Sequence, residues 1–350
     1  MRPNQFVTLL VLAILLLGIG SALLPQPAAA QGPSWQFEAD GFIHSAAVSA
    51  DGQAIVVGSR NGTVTRLDTA GQQVWQYEAG GTVLGLGMSQ DGSRVIAATE
   101  SRQALLLDGD GNVLWQKDFD YVLQGAAISG DGTLIALIPD KEKRVWVYDG
   151  DGNLLWEQPF TVIATAVAIS GDGQTVAVGA RDANVYRYDR AGQLIWKQQM
   201  KGVIRGLAIN TDGSFLVAGD ETRRAYGLAG EIPAGAKNST KWTVQTEDKI
   251  TSAATTADGH VSVFGSRDKN AYLVDGEGNV TSKFTAGGQV FAVALSADGN
   301  TFVIGSEDSK AYGFSTGQSA AGYAAGQAQA RLRMILIPLA VVAVIAAFAL

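Results

Sequence analysis

The chain has 350 residues, a formal net charge of −7, two histidines and no cysteine. Those counts exclude disulfides, thiolate metal sites, a cysteine nucleophile and an acylated lipobox cysteine, and they leave too few imidazoles for a His-rich metal centre. The acidic balance speaks against a broad nucleic-acid surface.

At the N-terminus, Arg2 precedes an apolar run from Phe6 to Leu24, followed by Pro25 and an A-x-A pattern at Ala28 to Ala30. This order predicts a secretory signal peptide over residues 1–30, cut after Ala30. An uncleaved signal anchor is the alternative, because the run is long for the apolar part of a signal. Either way the basic end stays in the cytoplasm and the chain beyond the apolar run is exported.

From residue 34 the chain becomes a repeat. The pair Asp-Gly recurs at Asp51, Asp91, Asp131, Asp172, Asp212, Asp258 and Asp298, and tryptophan keeps step at Trp35, Trp75, Trp115, Trp156, Trp196 and Trp242. A period of about 40 residues made only of strand-like segments predicts a β-propeller. The fourth copy shows the unit: "VIATAVAIS" (162–170), "QTVAVGA" (174–180), the alternating "VYRYD" (185–189) and "QLIWKQQ" (193–199), separated by Gly and Asp turns. Four short antiparallel strands make one blade.

Seven anchors predict an all-β, seven-bladed propeller over residues 34–315. The last copy supplies three strands, and "SWQFEA" (34–39) matches the missing fourth. Pairing of that stretch with Lys310 to Ser315 would close the ring and remove open sheet edges. The fourth-strand Trp is expected to pack between blades. Blade six has Ser282 at the Trp position and is expected to be looser; blade five carries an extra loop, "AGEIPAGAKNST" (229–240).

The turn before the Trp reads "DGDGNVLW" (108–115) and "DGDGNLLW" (149–156). Asp108, Asp110, Asp149 and Asp151 could offer weak calcium contacts, but a calcium site needs six or more oxygens, and Asp and Gly at these offsets are what a tight turn requires. Asn61, Asn238 and Asn279 begin glycosylation sequons, meaningful only in a cell that modifies exported chains.

Beyond the repeat, residues 316–330 form an Ala/Gly/Gln-rich linker and residues 331–350 end in an apolar run from Met334 to Leu350. That run predicts a C-terminal membrane helix at the short limit of a span, with a buried core helix as the alternative. Arg331 and Arg333 fall on the side placed outside, against the positive-inside tendency. The tail is therefore either a span cut short of a basic end or a removable sorting signal; small residues at Ser319 to Gly322, a polar spacer and the apolar tail resemble a GPI-anchor signal, if the source is eukaryotic.

The repeat "S-x-DG…G-x-RD…V-Y-x-Y-D" resembles the WD-repeat pattern, and "VYRYDRAGQLIW" and "VWVYDGDGNLLW" resemble the PQQ-type (quinoprotein) repeat. The resemblance covers residues 34–315 and implies the propeller fold. The Gly-His before strand one and the Trp-Asp ending strand three of WD repeats are missing. Quinoprotein dehydrogenases are larger, usually eight-bladed, with a calcium-binding carboxylate set and often a cysteine pair, so their chemistry does not carry over. The resemblance extends to periplasmic PQQ-like scaffolds that bind no quinone and work in protein assembly.

In such a wheel one face carries the loops into strand one and from strand two to three. Seven residues before each Asp-Gly pair lie His44, Leu84, Gln124, Thr165, Arg205, Thr251 and Phe291, expected near the channel mouth. Nine before, the set includes Phe42 and Lys249; the two-to-three turns contribute Arg60, Glu100, Asp140, Arg181, Glu221, Arg267 and Glu307. Arg and aromatic anchors in a polar rim suit a protein interface. His44, Phe42, Gln124, Arg205, Lys249, Phe291, Arg60, Arg181 and Arg267 are the candidate partner-binding face, although any propeller has residues at these positions. No catalytic, cofactor or metal constellation stands out: neither His44 nor His260 has a nucleophile motif near it.

The expectation is an exported, extracytoplasmic, membrane-tethered propeller, itself monomeric, that binds a protein partner or envelope ligand without turnover and binds no nucleic acid. A PQQ-like oxidoreductase or lyase working at the channel mouth, and a scaffold subunit of a membrane complex, are the alternatives.

Overall fold

The computed structural model describes residues 32–315 except residue 233; the predicted signal segment, linker and C-terminal tail lie outside the described residues. The described residues form seven four-stranded antiparallel sheets, and no helix. Six sheets take their strands in consecutive order. The seventh is built from Val290–Leu295, Thr301–Ser306 and Lys310–Ser315, with Trp35–Glu38 as its outermost strand, in the register Trp35 to Gly313 and Glu38 to Lys310. The N-terminal strand thus closes blade seven, and Ser315 N donates to Ser34 Oγ at 3.2 Å.

The core is not central. It is divided into seams, each shared by two neighbouring blades; one gathers Ala177 and Trp196 of blade four with Ile204, Leu216 and Tyr226 of blade five. Second strands are therefore covered on both faces. Thr175–Ala180 is buried throughout, in place of the alternation of a half-exposed strand. Strand three of the same blade, Asn184–Asp189, is also more covered than its alternation suggested. Close approach of blades demands small residues: a Cβ on Gly179 would stand 2.4 Å from Ile204 Cγ2 of the next blade.

Three devices repeat around the wheel. At the outer side, Trp75, Trp115, Trp156 and Trp196 donate their indole N–H to backbone carbonyls of Gly109, Gly150, Arg190 and Gly230 in the next blade's three-to-four turn, at 2.7–3.2 Å. Each of these turns except the long one of blade five also presents a left-handed glycine to a Trp ring: Gly192, at φ +83°, lies against Trp156. Trp242 packs likewise on Gly278, with its Nε1 buried and without an acceptor among the described residues.

This contact explains Ser282. A Trp on blade six would need the three-to-four turn of blade seven, and there the chain is interrupted between Ser315 and Ser34. In place of the expected loose seam, Phe284 meets Phe302 and Phe314 of blade seven with ring centroids 4.9 and 4.7 Å away. The extra loop of blade five is pinned as well: Gln198 of blade four, itself buried, accepts from Ser239 N and Oγ at 2.7 and 2.6 Å.

The second device is at the one-to-two turns. Ser49, Ser89, Ser129, Ser170, Thr256 and Ser296 each donate to the Asp of the Asp-Gly pair at 2.5–2.7 Å. These turns join in a closed circuit of backbone bonds. Ala50 N donates to Gln90 O, Gln90 N to Gly130 O, Gly130 N to Gly171 O, Asp172 N to Thr211 O, Thr211 N to Ala257 O, Ala257 N to Ala297 O, and Ala297 N to Ala50 O, at 2.8–3.2 Å. Inside this belt the Gln90 side chain crosses to Thr211 Oγ1 at 3.3 Å, from blade two to blade five.

The third device is a β-bulge near the start of strand one in all seven blades. The register skips one residue between Ile43 and Ser45, and likewise at each equivalent pair through Val290 and Ala292. The skipped residues are His44, Leu84, Gln124, Thr165, Arg205, Thr251 and Phe291. A bulge re-aims a side chain, and here it forms the site.

Candidate functional site: the channel mouth

All seven bulge residues line one cavity of about 460 Å³ at the end of the channel opposite the belt. Lys249, Glu221 and Arg267 line it too. Phe42, Arg60 and Arg181 do not; Arg60 N donates to Phe42 O in blade one and Arg181 N to Ile163 O in blade four. Of the residues nine before the Asp-Gly pairs, Lys249 alone among the described residues lines the cavity.

The bulge residues divide by what holds them. Three are ties between blades: Gln124 Nε2, Thr165 Oγ1 and Thr251 Oγ1 donate at 2.5 Å to Ala164 O, Ile204 O and Val290 O of the next blade. Gln124 was expected on the partner face, and its amide is spent on this tie and on Pro139 O. His44 and Phe291 stack across the closing seam, centroids 4.8 Å apart and planes 10° from parallel. Arg205 pairs with Glu221 at 2.8 Å.

Burial holds the His44 imidazole below its usual pKa, helped by the Arg60 guanidinium and opposed by Glu100. The ring is therefore neutral at pH 7 and stacks as a neutral group. Arg60 itself stands over the Phe42 ring at 5.3 Å.

The carboxylates of this face are mostly engaged within it. Glu100 accepts from Thr82 Oγ1 at 2.6 Å, Glu221 from Arg205, and Glu307 from Gln289 N at 3.4 Å. Asp140 is the exception, with a buried Oδ1 that has no partner among the described residues. The cations differ: Lys249, Arg267 and Arg181 have no carboxylate partner among the described residues. Lys249 and Arg267 are thus cations of the mouth without an ion-pair partner among the described residues, on a chain that is acidic overall.

The "DGDG" turns lie elsewhere, between strands three and four. Asp108 Oδ1 accepts from the backbone N–H of Asp110 and Asn112 at 2.9 Å, and its Oδ2 from Asn112 Nδ2; Asp149 does the same with Asp151 and Asn153. Those oxygens hold the turn. Asp110 and Asp151 are exposed.

The sequence named the seven mouth positions by counting but held no sign of the bulge that turns them inward. It also missed the ties made by Gln124, Thr165 and Thr251, because Gln and Thr there look like any polar channel residue. Glu221 appeared only as a turn residue; its pairing with Arg205 needed the two loops side by side.

A closed ring of seven four-stranded blades defines a seven-bladed β-propeller. The chain belongs to the PQQ-like repeat family described as outer membrane protein assembly factor BamB, whose pattern matches residues 28–159 and 141–302. Among solved structures, the β-propeller domain of Myceliophteria thermophila Cps50 (Swd1) superposes with a TM-score of 0.70 at 14% identity, covering 81% of this chain and 99% of that one. Likeness at that identity is one of fold alone. No curated protein matches this sequence.

Proposed function

We propose that this protein is an exported, membrane-tethered scaffold that holds a protein partner on its mouth face without chemical turnover. The observation that carries the reading is the ring of seven bulges aimed into one cavity. A fold that repeats an irregularity in every blade to present variable side chains at one place is suited to recognition. The internal engagement of the mouth supports binding over catalysis: its one imidazole, His44, is stacked on Phe291 and not bonded to a hydroxyl or carboxylate among the described residues. The family's description, with assembly of outer membrane proteins in it, favours a place as a scaffold subunit of a membrane complex.

Extraction of the full chain in mild detergent, with mass spectrometry of the product, tests this. The expected result is a stoichiometric partner, lost on H44A/R205E, and a mature N-terminus after Ala30. A chain that runs alone and carries a chromophoric cofactor with turnover would instead support the PQQ-like enzyme alternative.

A further inference from the structure

The mouth is chemically uneven around its circle. Blades three, four and six spend their bulge residues on ties to the next blade, and blade five neutralises Arg205 with Glu221. What remains available is one sector, running from blade six through blades seven and one to blade two, where the bulge residue is the apolar Leu84. Blade six offers Lys249 and Arg267, held side by side by the bond from Arg267 N to Lys249 O at 3.0 Å. Blades seven and one offer the flat His44–Phe291 pair. The Thr251 tie to Val290 O fixes blade six against blade seven, so the two cations and the ring pair are held in neighbouring parts of one cavity.

We infer that this sector is a receptor for a carboxylate side chain on a short peptide segment of the partner, with Lys249 and Arg267 meeting the acid and the His44–Phe291 stack meeting an aromatic or apolar neighbour. The inference rests on the mouth-face reading above and specifies its ligand. Two unpaired cations beside an apolar platform favour a group that brings one negative charge and one apolar surface together. The rim argues for a single acid on a flexible segment over an extended anionic surface. Glu100, Asp140 and Glu307 stand around the mouth and repel a bilayer or a nucleic-acid backbone laid across it, while one side chain can reach between them. A cavity of about 460 Å³ has room for a few side chains and no more.

The test is selection of random hexapeptides on the full chain in mild detergent. Asp or Glu next to an aromatic residue should be enriched. Changing that acid to its amide, or introducing Lys249→Gln with Arg267→Gln, should each weaken binding by about tenfold or more, since hydrogen bonds to charged groups are at stake. Thermal unfolding of the double variant should match the parent, because neither side chain has a carboxylate partner among the described residues. Selected peptides without acidic enrichment, or equal binding to the double variant, overturn the inference. A photo-reactive residue at position 84 separates it from the broader reading. A partner cross-linked there with no acidic preference sinks this inference alone; no cross-link from the mouth sinks the mouth-face reading itself.

Discussion

Gly192 and Gly80 offer a measurement of what the Trp-on-turn contact contributes. Both have left-handed backbones, at φ +83° and +76°. A Cβ on Gly80 would meet nothing within 4 Å, whereas one on Gly192 would stand 2.9 Å from Trp156 Cδ2 and 3.2 Å from two further ring atoms. Each Gly→Ala change bears the left-handed cost of about 1 kcal/mol. Only Gly192→Ala adds the displacement of a packed ring, about 2 kcal/mol. At about 2 °C per kcal/mol for a domain of this size, calorimetry should show melting falling by about 2 °C for Gly80→Ala and about 6 °C for Gly192→Ala. Trp156→Leu should make room, so that in its background Gly192→Ala costs little more than Gly80→Ala, a coupling of about 1–2 kcal/mol. Equal losses for the two glycine variants, or strict additivity with Trp156→Leu, would refute the idea that ring contact joins the blades.

Three further expectations rest on the same physics. Phe284→Ala should cost about 3 kcal/mol in urea titration through loss of the contacts with Phe302 and Phe314, while Ser282→Trp should bring no stability, since blade seven has no turn to receive the ring; a clear gain from Ser282→Trp would contradict this. Ser89 donates to Asp91 and accepts from Arg94 N, and Asp91 is held below its usual pKa first by the Ser89 bond. Ser89→Ala should therefore lose about 1–2 kcal/mol at pH 7, and the part due to Asp91 is present above the unfolded carboxylate pKa and disappears as pH falls through the lower folded value, so the gap between parent and variant should narrow in acid titrations to what the Arg94 N bond leaves. Tyr186 donates to Asp182 at 2.6 Å and Tyr312 to Asp308, and burial, then the carboxylate bond, push both phenols up to about 12. A raised folded pKa gives stability that is whole below pH 10 and lost as pH climbs through 12; ultraviolet titration should find these phenols ionising near 12, and ionisation near 10 in the folded protein would be the contrary result.

The blade count, the Asp-Gly turns and the closing strand were legible because they rest on residue types with fixed offsets. Gly192 must accept a positive φ, Asp149 must cap its own turn, and Trp156 must fill a seam, so each leaves a letter in the sequence. The belt of Ala50, Gln90 and their counterparts left none, because backbone groups make it. The strand-one bulges were equally silent: a bulge adds one residue of any kind, and His44, Leu84 and Thr165 share no chemistry. Ser282 was visible as a break in pattern, but its meaning depended on the next blade lacking a turn, which is a fact about a neighbour. The unpaired state of Lys249 and Arg267 was hidden for the same reason, since pairing is decided by which loops become adjacent.

The clasp between Trp35–Glu38 and Lys310–Ser315 has a mechanical consequence. The two strands run antiparallel, and residues 34 and 315 sit at the same end of their ladder. Tension that draws these two points apart loads the bonds one after another from that end, as when a zip is opened, and never all together in shear. The wheel should therefore yield at modest force by peeling its first strand away, leaving six intact blades and one raw edge.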